Sequence, residues 1–194
     1  MRKFQLFIKR CLDIFLSFIF LILLIPLWII IPVLIKLDSP GRVIYTQKRI
    51  GINSRFFTIY KYRTMKEGTP DIPTDKVLNS AELVTKIGSF LRRTSIDEFP
   101  QLINILKGQM SFIGPRPALY NQPELISLRR EKGVDIMRPG ITGLAQVSGR
   151  DELSIPLKVE YDKEYVDRFS LINDCKILFI TAKAVLTARG NRWK

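Results

Sequence analysis

A long apolar segment near the N-terminus constrains this chain more than any other feature. The stretch from Ile14 to Ile35 carries no charge, and Ser17, Pro26 and Pro32 interrupt its apolar run. As a straight helix rising about 1.5 Å per residue it would be roughly 33 Å long, enough to cross the core of a bilayer. The stretch is too long for a cleaved signal peptide, and no small-residue cleavage site follows Lys36. We therefore expect a membrane anchor that stays in the mature protein.

Basic residues and a central proline bear on how this anchor lies in the membrane. Length alone favours a single span, but cations flank both ends, so both ends prefer the cytoplasm by the positive-inside rule. Pro26 removes a backbone hydrogen bond and clashes with the carbonyl of Ile22, which costs about 3 kcal/mol unless the helix kinks. A bent helix that enters and leaves by one face satisfies both observations, and the residues alone leave the two geometries evenly balanced. The flanking cations are Arg2, Lys3, Lys9 and Arg10 before the segment, and Lys36, Arg42, Lys48 and Arg49 after it.

Charge and composition limit the chemistry. With 194 residues the chain has room for one compact domain and an anchor. Its formal net charge of +13 indicates an anionic partner: nucleic acid, phosphorylated small molecules or an anionic membrane. The sequence contains no histidine and only two distant cysteines, Cys11 and Cys175, which excludes a Ser-His-Asp triad, a Cys-His pair and the usual zinc sites. Acid, base and metal chemistry must then come from carboxylates, which favours a hard ion such as Mg²⁺.

Beyond the anchor, the hydrophobic pattern predicts a small α+β domain that is mainly helical. Two short strands come first and helices follow, with a polar surface loop from Glu67 to Ser80. The last helix has one apolar face, which we expect to pack in the core rather than to lie on the membrane. That face contains Leu171, Cys175, Leu178, Phe179, Ala182, Val185 and Leu186. The predicted strands are Val43–Tyr45 and Phe56–Tyr60; the predicted helices are Val84–Arg93, Ser95–Leu106, Glu124–Lys132, Leu157–Asp167 and Leu171–Leu186.

A cluster of cations accompanies the predicted strands. A solvated face drawn to anionic lipid headgroups would gain about 1 kcal/mol per charge near the surface. Phosphate binding by some of these cations is an equally good interpretation. The cluster consists of Lys48, Arg49, Arg55, Lys61 and Arg63.

The segment Arg92-Arg93-Thr94-Ser95-Ile96-Asp97-Glu98-Phe99-Pro100 is the strongest candidate site. Its first interpretation is structural, because Ser95 to Glu98 matches a capping box and acids suit the first turn of a helix. Its second is phosphoryl chemistry, since a helix start and arginines hold a diphosphate while an ionised carboxylate binds Mg²⁺ or attacks phosphorus. Without histidine, an aspartate is the most credible nucleophile for a double displacement. Asp97 and Glu98 cannot share a helix face, so we expect distinct roles for them.

Two loops give weaker signals. In Gly114-Pro115-Arg116-Pro117 the prolines fix the backbone and present one arginine, which suits either phosphate binding or a structural turn. The second loop opens at Arg138-Pro139-Gly140-Ile141-Thr142-Gly143 and runs to Gly149-Arg150, and its glycines permit close backbone approach to a ligand. These glycines match neither a dinucleotide-binding fingerprint nor a P-loop, so no kinase-type nucleotide site is indicated.

The order of these features closely resembles that of the bacterial sugar transferases, the monotopic phosphoglycosyl transferases. The motifs that carry the resemblance are a basic N-terminus, a proline-broken hydrophobic helix, Asp-Glu-x-Pro-Gln-Leu, Gly-Pro-Arg-Pro and Arg-Pro-Gly-Ile-Thr-Gly-x-x-Gln-Val-x-Gly-Arg. The resemblance runs from about Phe7 to Ala188 and is to the small form with the catalytic domain alone. It implies a re-entrant anchor over residues 1–37 and a catalytic domain over 38–194, on the cytoplasmic face of the bacterial inner membrane. A short β-hairpin and interfacial amphipathic helices are part of the implied fold.

The resemblance also implies a reaction. A sugar-1-phosphate passes from a UDP-sugar to polyprenyl phosphate, expected to be undecaprenyl phosphate, with release of UMP. Mg²⁺, a covalent phosphosugar-aspartate intermediate and contact with membrane lipids are implied too, as the first membrane step of surface glycan assembly. By position, Asp97 would be the nucleophile near Mg²⁺, Glu98 the second acid, Arg93 a phosphate ligand, and Arg116 and Arg138 ligands of the nucleotide or its diphosphate, with Pro26, Pro115 and Pro117 structural.

A membrane-tethered module that binds nucleic acid or anionic lipid is the alternative class. It rests on the net charge, and it requires Phe56, Phe57, Tyr60 and Tyr62 to be exposed for base stacking, whereas strand alternation places half of them in the core. It also gives no reason for two acids between arginine-bearing segments. We therefore expect the transferase, with no nucleic-acid partner. The residues identify neither the sugar nor the glycan pathway, and they leave a homodimer open.

Overall fold

The computed structural model describes residues 2–69, 80–149 and 153–186. Within them the chain is a mainly helical α+β protein with one antiparallel hairpin, which confirms that part of the sequence prediction. Most of the predicted loop between Glu67 and Ser80, and the end of the second glycine loop at Arg150, lie outside the described residues. The strands are β1 (Ile44–Ile50), β2 (Phe56–Tyr62), β3 (Ser111–Ile113) and β4 (Gly140–Thr142). The helices are α1 (Arg2–Leu23), α2 (Ile25–Asp38), α3 (Ser80–Leu83), α4 (Lys86–Thr94), α5 (Gln101–Leu106), α6 (Pro123–Glu131), α7 (Leu144–Ser148), α8 (Ile155–Asp167) and α9 (Leu171–Leu186).

The apolar N-terminal segment forms two helices, α1 and α2, that meet at Leu24 with a bend of 64°. The break comes two residues before Pro26, so this proline lies in the first turn of α2, where its missing N–H leaves no helical hydrogen bond unmade. Pro32 lies inside α2. Among the described residues, no helix by itself has the length and hydropathy of a membrane-crossing helix, but α1 and α2 reach both as a pair.

One face of this helix pair packs into the rest of the protein. Leu21 of α1 packs against a core cluster from β2 and α5, and Ile31 and Ile35 of α2 are buried with Tyr62 and Leu91. The opposite face of the helix pair is apolar and exposed. The predicted division between residues 37 and 38 stays a prediction. The exposed residues of the outer face include Phe4, Phe7, Phe15, Phe18, Ile29 and Leu37.

Two buried polar residues of α1 reinforce this packing. The Lys9 ammonium lies 2.6 Å from a carboxylate oxygen of Asp174 in α9. Asp13 accepts hydrogen bonds from the hydroxyl of Ser111 at 3.1 Å and from the backbone N–H of Phe112 at 3.2 Å. Charged groups are rarely buried without a partner, and each of these two has a partner in another element of the fold. The contacts fix the start of the anchor against α9 and β3.

The hairpin of β1 and β2 follows the anchor directly. The strands pair antiparallel with Ile44 opposite Tyr62. Along β2, Phe57 and Ile59 point into the core while Phe56 is exposed. Tyr62 is buried as well, so half of the aromatic residues considered for base stacking are core residues, but Tyr62 and Phe57 lie on opposite faces of β2, and strand alternation therefore does not explain the burial of both.

The face of α9 that was predicted to enter the core points outward, so that prediction was wrong. The core face is formed instead by Asp174, Ile177 and Thr181, and the Asp174 carboxylate pairs there with the buried Lys9. Thr181 shares a hydrogen bond of 2.8 Å with Thr142 of β4. Polar residues thus face inward because other elements satisfy them, which a helical pattern alone does not reveal. The exposed residues of the predicted core face are Cys175, Leu178, Phe179 and Ala182.

Candidate active site

Asp97 and Glu98 lie in a single 3₁₀ turn between α4 and α5. The helix predicted from Ser95 to Leu106 is wrong in its first part, because α5 begins only at Gln101. The predicted capping box is wrong as well: Ser95 makes no side-chain cap and adopts a left-handed conformation with φ of 59°. That conformation costs a residue other than glycine roughly 1–2 kcal/mol, and such residues cluster at functional sites.

Two cations hold Glu98. Lys61 of β2 donates a hydrogen bond of 2.6 Å to Glu98 Oε1, and Arg116 Nη2 lies 3.5 Å from the same oxygen. Burial by itself would raise the pKa of Glu98, but the charges of Lys61, Arg116 and Arg49 outweigh burial and lower the pKa to about 2. Glu98 is therefore a fixed anion at neutral pH.

The neighbouring acid, Asp97, lies in a different environment. Only 9% of its surface is exposed. Burial raises its pKa to about 6, the charge of Glu98 adds to this, and the charges of Lys61, Arg92 and Arg116 oppose it. Two adjacent acids with opposite pKa shifts are the pattern by which active sites assign carboxylates to different roles. At pH 7 most Asp97 side chains are ionised yet poorly solvated.

Lys61 is a site residue that the sequence prediction named only as one member of the basic cluster. It lies on the same face of β2 as the buried residues Phe57 and Ile59. A lysine on the inward face of a strand needs a buried anion, and Glu98 supplies it. The sequence did contain a signal for this role, because Lys61 follows Phe57 and Ile59 at the alternate positions of β2 and interrupts their apolar pattern.

Arg92, the first of two adjacent arginines near the end of α4, carries a charge that lowers the pKa of Asp97. Its Nε donates a hydrogen bond of 2.8 Å to Thr64 Oγ1, and burial lowers its pKa while the charge of Asp97 opposes that shift. Arg93, which was predicted to hold a phosphate, is exposed at the surface of the same helix. Its predicted role stays a prediction, and Arg92 joins it as a candidate.

The structure places Arg138 at the other end of α5. Its Nε donates a hydrogen bond of 2.9 Å to the carbonyl of Gly108. Arg10 of α1 donates to the carbonyls of Ile105 and Leu106 at 2.7 and 3.0 Å, so both arginines face the C-terminal end of α5, where cations are favoured. Contact of Arg138 with a nucleotide remains a prediction.

The glycines of the two loops bring the loops together. Strands β3 and β4 pair in parallel, a pair too short for a strand pattern to show in the sequence. A β-carbon on Gly140 would lie 2.2 Å from the Gly114 nitrogen, and one on Gly143 would lie 2.1 Å from the Gly114 carbonyl oxygen. The sequence predicts that these glycines let a ligand approach the backbone. At Gly140 and Gly143 the space is instead filled by protein backbone.

Asp97 is the residue of this site that suits a cation. Among the residues that the structure describes, no three metal-binding side chains come together as a complete metal site. Mg²⁺ needs less, because it is usually held by one or two carboxylates with substrate phosphates and water. Glu98 is already paired with Lys61, so the Asp97 carboxylate would be the protein's main ligand to such an ion. This donor set fits Mg²⁺ in the company of a phosphorylated ligand.

Most of the chain is similar to proteins named for exopolysaccharide production or for transfer of a sugar phosphate to undecaprenyl phosphate. Exopolysaccharide production protein ExoY of Sinorhizobium fredii is 37% identical over 94% of this chain and 87% of its own length. The Escherichia coli UDP-glucose:undecaprenyl-phosphate glucose-1-phosphate transferase is 40% identical over 90% of this chain and 39% of its own length. Undecaprenyl-phosphate galactose phosphotransferase of Salmonella typhimurium is 37% identical over 95% of this chain and 41% of its own length. The chain thus spans most of the first relative and less than half of the other two.

The family match and these relatives identify an enzyme of the phosphoglycosyl transferase class. A family described as bacterial sugar transferase matches residues 4–188, which is nearly the whole chain. The chain belongs to the bacterial sugar transferase family, as its motifs predict.

Proposed function

We propose that this enzyme transfers a sugar-1-phosphate from a UDP-sugar to undecaprenyl phosphate and releases UMP, through a covalent phosphosugar on Asp97. The observation that carries the proposal is the contrast between a buried Asp97, with a pKa of about 6, and an adjacent Glu98 fixed as an anion by Lys61 and Arg116. The names of two relatives support the acceptor, and the name of one supports a UDP-sugar donor. The product would enter a surface glycan.

In the first half-reaction an oxygen of the Asp97 carboxylate attacks the phosphorus that bears the sugar. As the new O–P bond forms, the bond from this phosphorus to the oxygen that bridges the two phosphates breaks. UMP leaves with the electron pair. The charges of Lys61, Arg92 and Arg116 surround the two acids and offset the negative charge of the transferring group.

In the second half-reaction a phosphate oxygen of undecaprenyl phosphate attacks the same phosphorus. The bond to Asp97 breaks, the carboxylate is restored, and the product is an undecaprenyl diphosphate sugar. Ionised oxygens act as nucleophile and leaving group in both halves, so no proton has to be moved by a side chain. This suits a chain that contains no histidine.

Mg²⁺ is the proposed cofactor, held by Asp97 together with the diphosphate of the donor. When bound, such an ion supplies charge neutralisation at the phosphates and orients them. The chain's own residues then hold Glu98 apart as a fixed anion and keep Asp97 out of water. UMP release should stop in EDTA and resume when Mg²⁺ is added.

In this proposal α1 and α2 enter and leave the cytoplasmic face of the bacterial inner membrane, so that the site lies in the cytoplasm. The bend of 64°, the exposed apolar outer face and the cations at both ends support this arrangement. The ion pair of Lys9 with Asp174 sets α9 beside the start of α1. The exposed Ile172 and Phe179 would then rest at the membrane surface as part of an interfacial helix.

The test is UMP release from a panel of UDP-sugars, with undecaprenyl phosphate and Mg²⁺, by the purified enzyme in lipid nanodiscs. We expect release from at least one donor, loss of release in Asp97→Asn, and normal release in Asp167→Asn, an exposed aspartate of α8. Without acceptor, the intact mass of the wild type should rise by one phosphosugar, and Asp97→Asn should show no adduct. An enzyme inert on the whole panel contradicts the transfer reaction, and a fully active Asp97→Asn contradicts the nucleophile.

A further inference from the structure

The turn that carries Arg116 is held at both ends by backbone hydrogen bonds from distant parts of the chain. The N–H of Gly140 in β4 donates to the carbonyl of Pro115 at 3.0 Å. The N–H of Ile50 at the end of β1 donates to the carbonyl of Ala118, also at 3.0 Å. The segment 115–118 is therefore suspended between the hairpin and the short parallel strand pair.

The two carbonyls between these ends accept hydrogen bonds from arginine side chains. Arg129 of α6 donates from Nη1 to the carbonyl of Arg116 at 2.6 Å, and Arg49 of β1 donates from Nη1 to the carbonyl of Pro117 at 3.0 Å. Prolines have a fixed φ and no N–H, so the turn is fixed through its carbonyls. Four successive carbonyls are thus each held by a different donor, while the Arg116 side chain reaches Glu98.

Arg129 has its own support in α8. Its Nε and Nη2 both donate to Asp162 Oδ2, at 2.9 and 2.6 Å. Asp162 is only 1% exposed, and the side chain of Arg129 is 11% exposed. The two bonds to Asp162 fix the plane of this guanidinium, and its third nitrogen, Nη1, donates to the turn.

Stability alone is a poor reason for this buried ion pair. Replacing such a pair with apolar side chains of similar size is often neutral or stabilising, because desolvation of the two charges offsets their attraction. What an apolar pair cannot supply is a directed hydrogen-bond donor at the carbonyl of Arg116. A lysine at position 129 would keep the charge, but as a point charge it lacks the planar fork.

We propose that Arg129, oriented by the buried carboxylate of Asp162, is a positioning residue that fixes the 115–118 turn so that Arg116 faces Glu98. It acts through Arg116 and does not touch the reacting atoms. This inference rests on the proposed function, because Arg116 matters only if its charge serves phosphoryl transfer beside Asp97.

The matched control lies between the same two elements. Lys132, directly after α6, forms an exposed ion pair with Glu160 of α8. We expect Arg129→Lys to lower kcat for UMP release about 10- to 100-fold, as misplacement of catalytic groups does, with a much smaller change in KM. Lys132→Gln should leave both constants at the wild-type values. The double variant Arg129→Met with Asp162→Leu replaces the ion pair by apolar side chains and so removes the donor to the carbonyl of Arg116. Its kcat should fall as far as that of Arg129→Lys.

A double-mutant cycle separates positioning from a general loss of structure. If Arg129 acts through Arg116, then Arg129→Lys should lower kcat less than about twofold once Arg116→Ala is present, because the group it positions is gone. Equal fold losses in the two backgrounds would overturn the proposal. So would wild-type kcat in a folded Arg129→Met with Asp162→Leu enzyme.

Amide hydrogen exchange gives a readout that needs no activity. The N–H groups of Gly140 and Ile50 bond to the turn, so their exchange should become faster in Arg129→Lys than in wild type or Lys132→Gln. Unchanged exchange at both amides would also overturn the proposal. An enzyme that releases no UMP from any donor contradicts the proposed function instead, and the exchange rates still decide whether Arg129 fixes the turn.

Discussion

The ammonium of Lys61 lies 2.6 Å from Glu98 Oε1, which joins the inward face of the hairpin to the turn that carries both acids. The charges of Lys61, Arg116 and Arg49 together lower the pKa of Glu98 to about 2, whereas burial raises the pKa of its neighbour Asp97 to about 6. Adjacent carboxylates in one environment would instead share a proton and a role. The hairpin therefore contributes to the difference on which the proposed reaction depends.

Removal of the Lys61 charge should raise the pKa of both acids. In Lys61→Met the pKa of Glu98 rises, the transferring group loses one stabilising charge, and kcat for UMP release falls about 100-fold. Lys61→Arg should retain more activity than Lys61→Met. Initial rates at pH 7.5 check this, with Lys107→Met, another lysine beside the hairpin, as control. Equal rates for Lys61→Met and wild type would refute the role.

The raised pKa of Asp97 predicts that this residue destabilises the folded enzyme. Its folded pKa of about 6 lies above the ordinary 3.8, so the folded state holds the proton more tightly than the unfolded chain. Stability is therefore lost as the pH rises from about 4 through 6, by on the order of 2 kcal/mol. Asp97→Asn should have a higher thermal midpoint than wild type at pH 8, and the difference should shrink toward pH 4. The measurement is made in EDTA without nucleotide; a difference that does not vary with pH contradicts it.

The buried ion pair of Lys9 with Asp174 predicts a large effect from a residue at the start of the anchor. Lys9→Met leaves the buried Asp174 carboxylate without its cation, with the Tyr165 hydroxyl still donating to it, and should destabilise the protein by about 3–5 kcal/mol. Lys9→Met with Asp174→Leu should recover part of the loss. Thermal unfolding in detergent checks this, and Lys163→Met, which breaks an exposed pair with Asp167, should cost less than about 1 kcal/mol. A harmless Lys9→Met would show that the pair does not stabilise the folded protein.

The bend before Pro26 leads us to expect that the chain enters and leaves the membrane by its cytoplasmic face. In a background without the exposed native cysteines, Cys11 and Cys175, the reporter Lys163→Cys should resist a membrane-impermeant maleimide on intact spheroplasts and react after permeabilisation. Pro26→Leu restores the N–H that can bond to the carbonyl of Ile22, so a straighter helix should move a fraction of the reporter outside. Strong labelling of the reporter in intact spheroplasts without Pro26→Leu would establish a span.

Periodic elements were predictable because their patterns are local. The later helices and the hairpin follow from hydrophobic spacing, and α9 was placed with its bounds correct. Its orientation was not predictable, since Asp174 faces inward only because Lys9 and Tyr165 are there to meet it. The left-handed Ser95 similarly replaced a regular helix start that its local sequence favours.

The candidate site was predictable where a motif named its residues and not where tertiary structure assembled them. Asp97, Glu98 and Arg116 come together as the motifs suggest. Lys61 comes from a strand more than thirty residues earlier, and its pairing is decided by strand register and hairpin packing. Arg138 belongs to an equally recognisable motif, yet it bonds to the carbonyl of Gly108 at the far end of α5.

The buried polar contacts that α1 makes with α9 and β3 have a consequence for how such enzymes diversify and how they can be engineered. Lys9 and Asp13 are matched to partners in α9 and β3, so α1 is an integral part of the fold and not an exchangeable tether. Deletion of α1 would expose a hydrophobic core cluster that includes Ile105 and Met110. Exchanging it between homologous enzymes should succeed only when the complementary side chains travel with it, and a water-soluble version would need a redesigned interior.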